Sequence, residues 1–320
     1  MPLRILGYVT TAEIDAEGYE GYLARLGVAR PAQPNQEALY ALHRAHAERV
    51  AYENLEIQLG RVTSADPQES IGRIVRGRGG YCFHLNGAFG SLLAHLGYRV
   101  TRHLGQVRGG DVPLESAELT VDHQVLVAEC EGEQYLVDVG LGDGLHEPMP
   151  LRTGASVQGP FSYGLEPWTA RPGGWLFRHD PTAAVSGMVF APEPVHWSAF
   201  TPAHERLSMG PDSPFKRVCV LQRRTADAAL TLRGLTYQRV DGHGGQTRTL
   251  ESAPEWFACA AEEFGLPLPD LDAADRERLW ARLYRAHATW FAARDGRGER
   301  EARDGQGQGE GEGQRQRQGA

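Results

Sequence analysis

RGRGGYCFHLNGAFGSLLAHLGYRV, residues 76–100, decides the fold. Leu85, Phe89, Leu92, Leu93 and Leu96 recur at helical spacing, and Gly97 supplies a stop. The pattern predicts a buried helix with Cys82 at or just before its first turn. Free backbone N–H groups and the helix dipole at that position favour a thiolate over a thiol. Glycines 79 and 80 let the backbone approach closely because they carry no Cβ. A cysteine placed in this way is either a small buried hydrophobe or a nucleophile. The second reading needs a base and an orienting acid elsewhere in the chain.

Outward from this helix, the period changes at Tyr98 from helical to alternating. RVTRHLGQVRGG (99–110), VDHQVLVAEC (121–130) and EQYLVDVGLG (133–142) read as strands, with Glu131-Gly132 turning between the last two. With a two-residue turn, position 130 faces 133, and His123 and Asp138 share a face one diagonal step apart. Moving the turn back by one residue on each strand sets them directly opposite; a three-residue loop separates them. Either even register puts an imidazole beside a carboxylate. Cys82, His123 and Asp138 then supply a nucleophile, a base and a group that fixes the base's tautomer. Singly, His123 is a core histidine and Asp138 a turn residue; together with a cysteine at a helix start they read as a triad.

The chain has 320 residues, enough for a sizeable core in two or three packed parts. A hydrophobic share of 41% with 23% charged residues belongs to a soluble globular protein, and a net charge of −8 argues against nucleic acid as the main partner. No apolar run has the length of a membrane span, and the N-terminus lacks a signal-peptide core. Four scattered cysteines with no C-x-x-C pair suit a reducing cytoplasm.

The remaining segments are read from their periods. Helical spacing covers 18–27 and 36–50, and 51–60 reads as a loop and short strand. Asp66 to Ile74 is helical again. Residues 143–209, rich in Pro, Gly and Trp, predict short barrel strands and long loops, and 214–224 and 230–240 alternate like strands. Trp256 to Phe264 and Ala274 to Ala292 predict closing helices. After Arg294 the chain is almost devoid of apolar side chains, the composition of a disordered tail. His43 and His46 have a metal-compatible spacing but no third ligand nearby, which favours a core or surface role. GLGDGLHEP (140–148) is either a phosphate-cradling loop or a glycine-held turn.

RGGYCF around Cys82, the histidine opening a strand at 123 and LVDVGLG around Asp138 together resemble the arylamine N-acetyltransferase family. The separations resemble it too, with 41 residues from Cys82 to His123 and 15 from there to Asp138. LHRAHAERVAYENLEIQLG (42–60) and PDSPFKRVCVLQR (211–223) carry further likeness, so that the resemblance spans roughly residues 18–290. It implies an α+β fold: a helical bundle over 1–97 carrying the nucleophile, a β-barrel over 98–210 carrying His123 and Asp138, an α/β lid over 211–294, and a tail over 295–320. It implies a ping-pong reaction in which acetyl-CoA, as co-substrate and with no metal, acetylates Cys82, and a small arylamine, arylhydrazine or arylhydroxylamine then takes the acetyl group. Gly142 and Gly144 fall where the family's loop approaches the CoA pyrophosphate, and Tyr52 and Leu141 fall at the acceptor pocket. The chain departs from the family pattern in four places, five residues in all: His84 replaces a glutamate, Ala51-Tyr52 replace Pro-Phe, Leu141 replaces a phenylalanine, and Gln124 replaces an apolar residue. The expected protein is a cytoplasmic monomer or homodimer without a membrane or nucleic-acid partner. An amide synthase closing an aromatic-amine polyketide and a Cys-His-Asp hydrolase are the alternative functions.

Overall fold

The computed structural model describes residues 16–109 and 112–289. Its N-terminal part holds α1 (Ala16–Leu26), α2 (Gln36–Arg49), α3 (Leu55–Leu59), α4 (Pro67–Val75) and α5 (Cys82–His95). Local chemistry sets several of these starts. The Asn35 side chain accepts from the Ala38 amide at the head of α2, and Asp66, followed by Pro67, accepts from Gln68 at the head of α4. Residues 51–60, expected as a loop and short strand, form the two-residue strand β1 (Tyr52–Glu53) and then α3. Helix α5 is apolar nearly all round because it is enclosed: Leu85, Phe89, Leu92 and Leu93 are fully buried against Leu126 and Ala128 of the neighbouring sheet and Val137 just past it. Each such side chain contributes roughly 1.5–3 kcal/mol of burial.

That sheet has eight antiparallel strands, β2 (Arg99–Arg108), β3 (His123–Cys130), β4 (Glu133–Leu136), β5 (Met149–Pro150), β6 (Gly154–Gln158), β7 (Phe161–Pro167), β8 (Trp175–Arg178) and β9 (Gly187–Val195), in the order β5-β4-β3-β2-β9-β8-β7-β6. It curls into a nearly closed barrel. Gln158, at the end of one edge strand, accepts from the amides of His146 and Glu147 and donates to Glu147 O, just before the other edge strand. Val125, Leu136, Met149, Tyr163, Phe177 and Met188 meet in one interior cluster.

Beyond the barrel, residues 197–209, expected among barrel strands and loops, form a 3₁₀ turn and α6 (Thr201–Met209). The segment 214–224, expected to alternate throughout, begins as the short helix α7 (Pro214–Arg217), capped by Ser213, and becomes strand β10 (Val220–Arg224) only afterwards. With β11 (Ala228–Arg233), β12 (Thr236–Asp241) and β13 (Gly244–Thr249) it forms a second sheet, ordered β1-β10-β11-β12-β13, so β1 from the N-terminal part completes it. Helix α8 (Ala253–Phe264) packs on this sheet through Trp256, Cys259, Ala260 and Phe264, and 273–289 form a last helix. The end of the closing helix expected at 274–292 and the tail expected over 295–320 lie outside the described residues. Among the described residues no helix is long and apolar enough to cross a membrane.

Candidate active site

Cys82 is the first residue of α5, with Tyr81 as N-cap. A buried charge network fixes the approach to it. Glu53 of β1 is fully buried; its carboxylate meets Arg73 at 3.3 Å and Arg78 at 3.5 Å, and accepts from the Leu55 amide. Arg78 also reaches Glu56 at 2.8 Å and Asp270 at 2.7 Å, so the basic residue preceding the glycines ties the loop to the C-terminal segment. The backbone of β1 then docks on that loop, with Glu53 N donating to Gly80 O. His204 donates from Nε2 to Thr63 O, which leaves Nδ1 to accept from the Tyr81 hydroxyl at 2.6 Å, and this holds the cap residue in place.

The β3–β4 hairpin has the two-residue turn, with Cys130 facing Glu133. Glu131 and Gly132 both have positive φ (53° and 85°), as a turn matched to the strand twist requires. The ladder ends at Leu136, so Asp138 sits two residues past β4 rather than within a strand. His123 nevertheless faces it: Nε2–H donates to Asp138 Oδ2 at 2.7 Å. The other ring nitrogen stays free of Asp138, and the Cys82 thiol lies 3.5 Å from the carbonyl of Asp122, the residue before His123. All three side chains are buried.

Sequence reasoning missed Asn86, which organises this set. It lies one turn after Cys82 on α5, and the four-residue spacing that puts both on one helix face was the available signal. Its Nδ2 donates to Asp138 Oδ1 at 3.0 Å and to Gln124 O at 2.6 Å, and its Oδ1 accepts from Val139 N at 2.9 Å. The amide thereby bridges the helix of Cys82, the strand that carries His123 and the loop that carries Asp138. Gly140 is required beside it, because a Cβ there would lie 2.9 Å from Cys82 Cα and 2.7 Å from Asn86 Nδ2.

The electrostatics follow from burial and pairing. Burial opposes a charge on His123, but the Asp138 carboxylate and the contact with Cys82 outweigh it and hold His123 well above its ordinary range. Burial alone would raise Asp138; the charge of His123 and hydrogen bonds from His123, Asn86 and Gly140 hold it below its ordinary value. For Cys82 burial wins and pushes the thiol up, against the hydrogen bond and charge of His123. The thiolate expected from the helix start alone is therefore opposed by enclosure, and His123 is what makes it reachable.

Leu141 is buried, with the barrel-side residues Leu145 and Met149 in its cluster, and also borders a recess with Tyr52, Asp138 and Gly142. Gly142 packs so closely on β1 and β10 that a Cβ would lie 2.6 Å from Gln222 Oε1 and 3.0 Å from Tyr52 Cβ. Gly144 O accepts from the Tyr163 hydroxyl at 2.8 Å. His84, two residues after Cys82, stacks edge-on against Tyr81 and His204. His43 contacts His146 O and His46 packs against Phe89, so both are core histidines; among the described residues no group of three or more His, Cys, Asp or Glu is placed to hold a metal.

The chain matches a family model described as N-acetyltransferase over residues 35–273. It is 30% identical over 272 residues to an arylamine N-acetyltransferase of Mycolicibacterium smegmatis, covering 80% of this chain and 94% of that protein. The arylamine N-acetyltransferase structure from Nocardia farcinica superposes with a TM-score of 0.76 at 28% identity, covering 87% of this chain and 98% of that one. The Mycobacterium marinum arylamine N-acetyltransferase solved in complex with CoA superposes at 0.74, also 28% identical, with 83% and 98% covered. A buried cysteine at a helix start, a histidine on a hairpin strand bonded to an aspartate just past that hairpin, and a match over most of the sequence agree, and the chain belongs to the arylamine N-acetyltransferase family.

Proposed function

We propose that the protein moves an acetyl group from acetyl-CoA to an arylamine or arylhydrazine through an acetyl-cysteine at Cys82. The carrying observation is the 2.7 Å bond between His123 and Asp138 beside a buried Cys82 whose thiol lies 3.5 Å from the carbonyl of Asp122, the residue before His123. In the first half-reaction His123 takes the thiol proton, Cys82 Sγ attacks the thioester carbonyl, and the bond from carbon to the CoA sulfur breaks. The departing CoA thiolate receives the proton from His123. In the second, the amine nitrogen attacks the acetyl carbon, His123 accepts the amine proton, and the bond from carbon to Cys82 Sγ breaks. Asp138 holds His123 oriented in both directions and offsets its charge.

In this reading Gly142 and Gly144 lie along the CoA side of the site, and Tyr52 and Leu141 line the acceptor side. Residues 1–97 carry the nucleophile, 98–210 the base and acid, and 211–294 cover them, in a cytoplasmic monomer or homodimer. Incubation with acetyl-CoA and an aniline or hydrazine tests the reaction. Free CoA and N-acetylated amine in equal amounts, with little CoA released when the amine is left out, is the expected result. Rapid CoA release into water without amine would mark a hydrolase.

A further inference from the structure

We infer that the Tyr52 hydroxyl is a further catalytic group, donating a hydrogen bond to the acyl carbonyl oxygen while the acyl group passes onto and off Cys82; this rests on the acyl-transfer reading above. Tyr52 joins the two segments that deliver the nucleophile and the acid. Its backbone pairs with Gln222 on one side and bridges Gly80, two residues before Cys82, on the other. Gly142, four residues after Asp138, comes close enough that a Cβ there would lie 3.0 Å from Tyr52 Cβ. The side chain packs against the cluster that contains Tyr81, Cys82 and Phe83, and borders the recess shared with Asp138 and Leu141.

Within this fixed setting the hydroxyl has no hydrogen-bond partner among the described residues. Tyr52 is half-buried, whereas Tyr19 and Tyr22, whose hydroxyls also have no partner, are fully buried. A rigidly held donor with nothing to donate to, packed against the cluster that holds Cys82 and bordering the recess shared with Asp138, is suited to a charge that exists only during reaction. Burial first, then the charge of Cys82, raises the phenol well above its ordinary range, so it stays a donor throughout.

Tyr52→Phe removes the hydroxyl and keeps the ring. The rate of a single acylation of Cys82 is read for wild type and variant with two donors, acetyl-CoA and p-nitrophenyl acetate, which share only the acetyl carbonyl. The alkylation rate by iodoacetamide, which forms no tetrahedral oxyanion, is read in parallel. Acylation slowed ~100- to 1000-fold with both donors, with alkylation unchanged, is the expected result. Unchanged acylation, a loss confined to acetyl-CoA, or an equal fall in alkylation overturns the inference while leaving the acyl-transfer reading intact. A wild type that accepts no acyl group from either donor overturns both.

Discussion

Asn86→Leu is the perturbation whose effect the structure sizes most directly. Leucine fills a similar volume but cannot replace three bonds: Nδ2 to Asp138 Oδ1, Nδ2 to Gln124 O, and Val139 N to Oδ1. A hydrogen bond to a charged group is worth about 1.5–3 kcal/mol, and each buried backbone group left without its partner costs about 1–3 kcal/mol. Taken near the lower ends, the loss in folding stability is about 4 kcal/mol. The site feels it as well. Asn86 is one of the groups holding Asp138 below its ordinary value, so its removal moves Asp138 up and weakens its hold on the proton of His123. If about 1.4 kcal/mol of the loss falls on the acylation transition state, the step slows ~tenfold. Urea unfolding followed by tryptophan fluorescence gives the first number, and quenched-flow mass spectrometry of the acyl-enzyme gives the second. A variant with the wild-type unfolding midpoint and acylation rate would refute the role assigned to Asn86.

Two further outcomes are expected. His123→Ala leaves burial of Cys82 unopposed, so the pH profile of alkylation by iodoacetamide moves to higher pH, and Asp138→Asn moves it in the same direction by less; coincident profiles would remove His123 from the base role. His43 and His46 are lowered by burial to about 4 and about 3, below their unfolded value of about 6.5. Their contribution to stability is therefore complete above about pH 6.5 and is lost as pH falls towards their folded values, by about 1.4 kcal/mol per pH unit for each. Urea midpoints measured between neutral and acid pH should show a shallower slope for His46→Leu than for wild type, and parallel slopes would contradict the burial argument.

The parts of the fold that were legible in the sequence are those set by local chemistry. The apolar spacing from Leu85 to Leu96 marks α5 because the whole helix is buried, and the turn at Glu131-Gly132 is a two-residue step that sets the register of His123 against Asp138. What stayed hidden depends on distant neighbours. Helix α3 follows a buried Glu53 that is held by Arg73 and Arg78, and nothing in its five residues announces a helix. Pro214–Arg217 turn helical under a Ser213 cap, while Asn54 accepts from Val220 N and donates to Phe215 O and Val218 O across the chain. Asn86 carries no motif of its own; its role appears only once three segments converge on one amide. The thiol of Cys82 shows the same limit, since the helix start is local but the enclosure that raises it is tertiary.

The acyl-enzyme itself is the most direct test of the central claim. Wild type, Cys82→Ala, and a protein with Cys130, Cys219 and Cys259 all changed to Ala are mixed with acetyl-CoA without amine, and intact mass and peptide mapping are read. One acetyl group on Cys82 in the wild type and in the triple variant, none in Cys82→Ala, and its disappearance on addition of an aniline is the predicted result. Acetylation that persists in Cys82→Ala, or an acetyl-Cys82 that no amine discharges, would contradict it.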